Sequence, residues 1–145
     1  MNILFFLKPK AELDLVYEDD TIGEALNRIE RHEFTSIPII NEKTGRYVGT
    51  ISEGDFLREI KKRSDSCVSI PSTRPVSSIR RKYDFRSVRI DSTIQELFAF
   101  AKDQNFVPVV DDTGVLIGIV TRSVILEYVY NVIDKYVDKA KANIA

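Results

Sequence analysis

Apolar and polar positions along the chain fall into one pattern written twice. Phe34-Thr35-Ser36-Ile37-Pro38-Ile39-Ile40, a polar connection through Gly45, and Tyr47-Val48-Gly49-Thr50-Ile51 predict two short strands joined as a hairpin. Phe106-Val107-Pro108-Val109-Val110, a turn through Gly114, and Leu116-Ile117-Gly118-Ile119-Val120-Thr121 repeat them in the second half. The upstream segments match as well. Thr21-x-x-Glu24 and Thr93-x-x-Glu96 have capping-box form, and each opens an apolar i, i+3, i+4, i+7 series: Ile22, Ala25, Leu26, Ile29 in one, Ile94, Leu97, Phe98, Ala101 in the other. Short strands are predicted ahead of each helix, over 13–17 and 88–90. Helices are predicted behind each hairpin: one from Ser52 carrying Phe56, Leu57 and Ile60, the other over 122–141.

The chain is therefore two copies of one strand-helix-strand-strand-helix unit. The first is expected over 8–63, the second over 79–137, with a Ser/Pro/Thr-rich linker at 64–78 broken by Pro71 and Pro75. At 145 residues, two such units are each marginal alone and are expected to share a core. The last helix predicts a longer apolar stripe than its counterpart: Val124, Ile125, Tyr128, Val129, Val132, Ile133, Tyr136 and Val137, over about 30 Å. That length exceeds what a small domain covers by itself and points to a homodimer.

Composition narrows the function classes. A net charge of -1 with 30% charged residues describes an ordinary soluble surface, not a nucleic-acid-binding one. The longest apolar run, Ile3 to Leu7, is too short for a membrane span or a secretory core, so a cytoplasmic protein is expected. One cysteine, Cys67, and one histidine, His32, exclude an intrachain disulfide and an all-Cys/His metal site. No Ser/His/Asp set and no P-loop is present, which argues against an enzyme. One stretch is locally basic: Arg74, Arg80, Arg81, Lys82, Arg86 and Arg89 face Asp84 alone, as a solvated face or as an anion site.

The repeated order, with Ile37-Pro38 and Val107-Pro108 opening the middle strands and Gly49 and Gly118 inside the third, resembles a tandem pair of cystathionine β-synthase (CBS) domains, a Bateman module. The resemblance spans about residues 8–135. It implies an α/β (α+β) fold of two pseudo-symmetric β-α-β-β-α units enclosing two clefts, and a flat dimer of modules. It also implies an adenosine-containing ligand: AMP, ADP, ATP, S-adenosylmethionine, sometimes NAD(H), or, in some bacterial stand-alone members, cyclic di-AMP.

Residue by residue, Ser52-Glu53-Gly54-Asp55 matches the family's ribose-binding Ser/Thr-x-x-Asp. An ionised carboxylate accepts from both ribose hydroxyls, although the same pattern also caps a helix. In the second unit Thr121-Arg122-Ser123-Val124 replaces the carboxylate by valine, so one good site per chain is expected. Arg122, at the first turn of the last helix, is placed to meet phosphate, or else is solvated. The base is expected against Thr35, Ser36, Ile37 and Pro38. Lys8 and Lys10, and at the equivalent position Arg80 and Arg81, are candidates for base or phosphate contacts. The leading reading is a regulatory sensor of AMP, ADP or ATP acting on a separate protein, with no cofactor required. Asp55 suits a free ribose diol, whereas Arg122 leans toward cyclic di-AMP. A ligand-free dimerisation scaffold is the reading from another class.

Overall fold

The structure is a computed structural model that describes residues 2–31, 35–65 and 73–144. His32, Phe34, Cys67 and Pro71, singled out above, lie outside the described residues.

Two small sheets carry the module. The first holds β2 (Val16–Tyr17), β3 (Ser36–Ile40) and β4 (Tyr47–Ser52) in the order β2-β3-β4. The second holds β1 (Lys8–Pro9), β5 (Val88–Arg89), β6 (Phe106–Val110) and β7 (Leu116–Thr121) in the order β1-β7-β6-β5. Four helices complete the fold: α1 (Ile22–Arg31), α2 (Glu53–Asp65), α3 (Ile94–Ala101) and α4 (Arg122–Ile144). β6 and β7 pair with Pro108 opposite Ile119, as β3 and β4 pair with Pro38 opposite Thr50. Both capping boxes form. The strand expected over 13–17 is shorter, because residues Lys10–Glu12 wind into a 3-10 turn and pairing with β3 begins at Val16.

The units are related by a pseudo-twofold axis that the hydrogen bonds reveal. The Tyr47 amide donates to the Gly114 carbonyl at 3.0 Å, and the Leu116 amide returns to the Gly45 carbonyl at 3.1 Å. These are equivalent positions in the two hairpins. Gly45 and Gly114 have φ of 73° and 88°, a backbone region that side chains with a Cβ rarely adopt. At the other end of the strands, Asn105 Nδ2 donates to its equivalent, Thr35 Oγ1, at 3.2 Å.

The expected shared core is instead two cores joined by a small bridge. Val16, Ile22, Ala25, Ile29, Ile37, Ile39, Ile51 and Phe56 form one cluster, Val88, Leu97, Ala101, Val107, Val109, Val120 and Ile125 the other, and Ile40, Val110 and Leu116 pack between the units. Each core is closed by the segment that precedes the opposite unit. Ile3 and Phe6, ahead of the first unit, are buried in the second core; Val76 and Ile79, ahead of the second, are buried in the first. The exchange explains the third-strand glycines. β1 crosses β7 at Gly118, where a Cβ would stand 2.3 Å from the Lys8 carbonyl oxygen. At Gly49 a Cβ would stand 2.5 Å from Asp84 Oδ1, in the segment that crosses β4. A side chain at position 118 would push β1 off, whereas one at position 49 would turn the Asp84 and Arg81 side chains aside.

Candidate functional site

The site grows from the junction of β4 and α2. The Ser52 amide donates to Asp55 Oδ2 at 3.0 Å, and the Asp55 amide donates to Ser52 Oγ at 3.3 Å, a reciprocal cap on α2. Asp55 is 1% exposed, and its second oxygen is also engaged. Oδ1 accepts the Lys82 amide at 3.1 Å and is ion-paired with Arg58 Nη2. The carboxylate thus pins the chain ahead of the second unit onto the first turn of α2. A buried carboxylate with three donors around it is well placed to exchange one donor for another.

Beside Asp55 lies a cavity of about 360 Å³ lined by Arg58, Glu59, Lys62, Arg80, Arg81 and Lys82. Its one acid is committed elsewhere: Glu59 Oε1 lies 3.0 Å from Arg63 Nε and 3.6 Å from Arg74 Nη1. The cavity therefore concentrates positive potential on a chain of nearly zero net charge. Arg81 holds Asp84 in a bidentate pair across Gly49, Nε to Oδ1 at 3.2 Å and Nη2 to Oδ2 at 3.3 Å, so its own contribution is partly balanced. Arg80 is exposed.

A second cavity, of about 650 Å³, is lined by residues 83–86 together with Phe100, Lys102, Asp103 and Gln104. Buried Gln104 accepts the Arg86 amide at 2.7 Å and donates to the carbonyls of Arg86 and Phe106 at 3.0 and 3.2 Å. The Arg86 guanidinium stands over the Phe100 ring, 5.0 Å from its centroid. Tyr47 fastens the wall between the two cavities. Its hydroxyl donates to the Phe85 carbonyl at 2.6 Å and accepts from Thr50 Oγ1 at 2.7 Å. Burial pushes the Tyr47 phenol well above its usual range, with the Asp84 charge adding in the same direction.

The remaining candidates are placed as follows. Ser36, Ile37 and Pro38 are buried in β3, while Thr35 holds the entry to α2 by accepting the Glu53 amide at 3.0 Å. Thr121 Oγ1 caps α4 by accepting the Val124 amide at 3.3 Å. Arg122 donates from Nε to the Ala101 carbonyl at 2.8 Å and from Nη2 to that of Lys102 at 3.5 Å, which closes the C-terminal end of α3. Its guanidinium is turned toward those carbonyls, not toward the free N–H groups of α4. Lys8 lies in β1 opposite Ile119. Lys10 extends its ammonium to the hairpin turn at Gly45, the far end of β4 from Ser52.

Arg58 and Lys62 were not among the sequence candidates, and Lys82 stood there only within the basic stretch 74–89. Arg58 and Lys62 stand three and seven positions after Asp55, on the same helical face, and that spacing was the available signal. Among the described residues no group of three or more His, Cys, Asp and Glu side chains gathers for a metal, and no helix is long and apolar enough to cross a membrane.

The CBS domain family model matches residues 10–62 and again 68–131, and the chain belongs to that family. A curated relative, the uncharacterized protein MJ1426 of Methanocaldococcus jannaschii, is 28% identical over 78% of this chain and 83% of its own. The solved CBS domain protein from Streptococcus pneumoniae TIGR4 is 27% identical, with a TM-score of 0.77 over 89% of this chain and 86% of that one. Two ligand-bound structures share the fold. CbpB in complex with c-di-AMP has 20% identity and a TM-score of 0.79, covering 96% of this chain and 91% of that one. CBSX2 in complex with AMP has 22% identity and a TM-score of 0.71, covering 90% and 97%.

Proposed function

We propose that this chain is a regulatory module that binds an adenine nucleotide beside Asp55, with the ribose diol on the carboxylate and the phosphates over the basic cavity. The observation that carries the reading is the adjacency of a buried carboxylate to a cavity lined by five cations and one neutralised acid. A ribose supplies two hydroxyl donors and a phosphate supplies acceptors, which is the complement of that pair of features. Asp55 Oδ1 is held by Arg58 in the structure, so the ligand hydroxyls take the place of that guanidinium. Arg58 side-chain exposure is 44%, and it also lines the cavity, so on release it reaches the phosphate without crossing the core. Binding therefore exchanges one ion pair for another.

AMP, ADP and ATP suit the site through their free diol. Cyclic di-AMP is the second reading, favoured by the likeness to the CbpB fold. Its 3′-oxygens are esterified, so it offers Asp55 one hydroxyl per ribose and gains less from the carboxylate. The second cleft, with Val124 in place of the carboxylate and Arg122 held by α3, binds more weakly. The signal passes to a partner protein through the segment that Asp55 pins at Lys82.

Calorimetric titration with AMP, ADP, ATP, cyclic di-AMP and S-adenosylmethionine tests the reading. Asp55→Ala is expected to weaken the binding ligand by about 1.5–3 kcal/mol, roughly ten- to a hundredfold. Absence of heat across the panel would leave the ligand-free scaffold, and unchanged affinity in Asp55→Ala would make the residue a helix cap alone.

A further inference from the structure

The ion pair of Arg81 and Asp84 stands between the two cavities. Arg81 lines the basic cavity and Asp84 lines the second one. Both side chains lie against β4 where Gly49 leaves room: a Cβ there would stand 2.5 Å from Asp84 Oδ1 and 2.7 Å from Arg81 Cζ. The Thr50 amide reaches the same Oδ1 at 3.4 Å, so the carboxylate is also anchored to the strand. Arg58 and Arg81 therefore differ in what a nucleotide can do to them. The ribose diol replaces Arg58 on Asp55, and the freed cation serves the phosphate. A nucleotide brings no donor to take the place of Arg81 on Asp84. Arg81 is also the less exposed of the two, at 21% against 44% for Arg58, and it stays paired. Its charge is then balanced by a carboxylate that itself repels phosphate.

We infer that Asp84 sets the phosphate number of the ligand: by holding Arg81 it suits the basic cavity to a nucleoside monophosphate and turns it against di- and triphosphates. The inference rests on the nucleotide reading above and adds the residue that ranks AMP, ADP and ATP. Every phosphate brings further negative charge. Repulsion by Asp84, and the lack of a cation to answer it, therefore grow with phosphate number, while adenosine feels neither. Asp84 acts by its charge and through Arg81, as a positioning residue and not as a contact to the ligand.

The test titrates adenosine, AMP, ADP and ATP, free of divalent cations, into the parent and Asp84→Asn. About 0.15 M salt screens exposed charges beyond ~8 Å. Asparagine keeps the size of the side chain and an acceptor for the Thr50 amide. The parent is expected to bind AMP at least as tightly as ATP. In Asp84→Asn, adenosine affinity is expected to hold while the ATP-to-AMP affinity ratio rises about three- to tenfold, with ADP between them. Asp84→Ser removes the charge without keeping the shape and is expected to give the same ladder; it decides if the asparagine variant fails to fold. Asp103→Asn takes an equal charge from another part of the second cavity wall and is expected to leave the parent ladder in place. A parent that prefers ATP, equal shifts for all four ligands, or the same ladder from Asp103→Asn would overturn the inference and leave nucleotide binding standing. A parent that binds none of the four would overturn the nucleotide reading itself.

Discussion

Arg58→Ala separates the two halves of the exchange at Asp55. In the structure Arg58 competes with any ribose for the carboxylate, and in the nucleotide complex it serves the phosphate. A half-exposed ion pair contributes roughly 0.5–1 kcal/mol. Removing it lifts that competition, so adenosine, which has no phosphate, is expected to bind about two- to fivefold more tightly. AMP gains the same relief but loses a charge-assisted contact of about 1.5–3 kcal/mol. Its affinity is expected to fall by a net ~1–2 kcal/mol, roughly five- to thirtyfold. The relief at Asp55 is common to both ligands and cancels in their ratio. The preference for AMP over adenosine therefore drops about ten- to a hundredfold, and that drop measures the phosphate contact alone. Parallel titrations of both ligands into both proteins give the ratio. Equal changes for adenosine and AMP would refute a phosphate role for Arg58. A fall in adenosine affinity would refute the competition.

Two further perturbations probe the frame that holds the site. Gly118→Ala sets a Cβ against the Lys8 carbonyl, a backbone atom, so β1 must lift from β7 and carry Ile3 and Phe6 from the second core; urea unfolding should show a loss of about 2–4 kcal/mol, and an unchanged midpoint would mean the N-terminal segment contributes nothing. Tyr47→Phe leaves the Phe85 carbonyl without its donor and should cost about 1–2 kcal/mol at neutral pH. Because burial raises the Tyr47 phenol, its contribution is fully present below the unfolded-state value near 10 and is lost as pH rises beyond it. The parent should therefore weaken more steeply above about pH 10 than the phenylalanine variant; identical alkaline limbs would contradict the buried phenol.

Local chemistry made much of the fold legible. The Thr-x-x-Glu boxes, the prolines in the middle strands and the glycine turns each specify backbone geometry within a few residues, and repetition doubled every signal. What escaped the sequence was long-range. Nothing local to Ile3 and Phe6 says that they close the second core instead of the first, because either core is apolar. On α2, counting apolar positions grouped Leu57 and Ile60 with Phe56, yet only Phe56 is buried. The two others stay on the surface, and the face that matters for the site is the charged one of Asp55, Arg58 and Lys62. On α4 the predicted stripe runs from Ile125, Tyr128 and Val129, which pack on the second core, to Ile133, Tyr136 and Val137, which are exposed, since its burial depends on where the module ends. Arg122 illustrates the same limit: its position at a helix start is local information, but its hold on the end of α3 is tertiary.

The central claim is that a nucleotide replaces Arg58 on Asp55, and a crystal structure of the protein with AMP tests it most directly. The account predicts ribose hydroxyls on the Asp55 carboxylate and the Arg58 guanidinium moved onto the phosphate. AMP bound with the Arg58–Asp55 pair intact, or seated only in the cavity between Phe85 and Phe100, would contradict it.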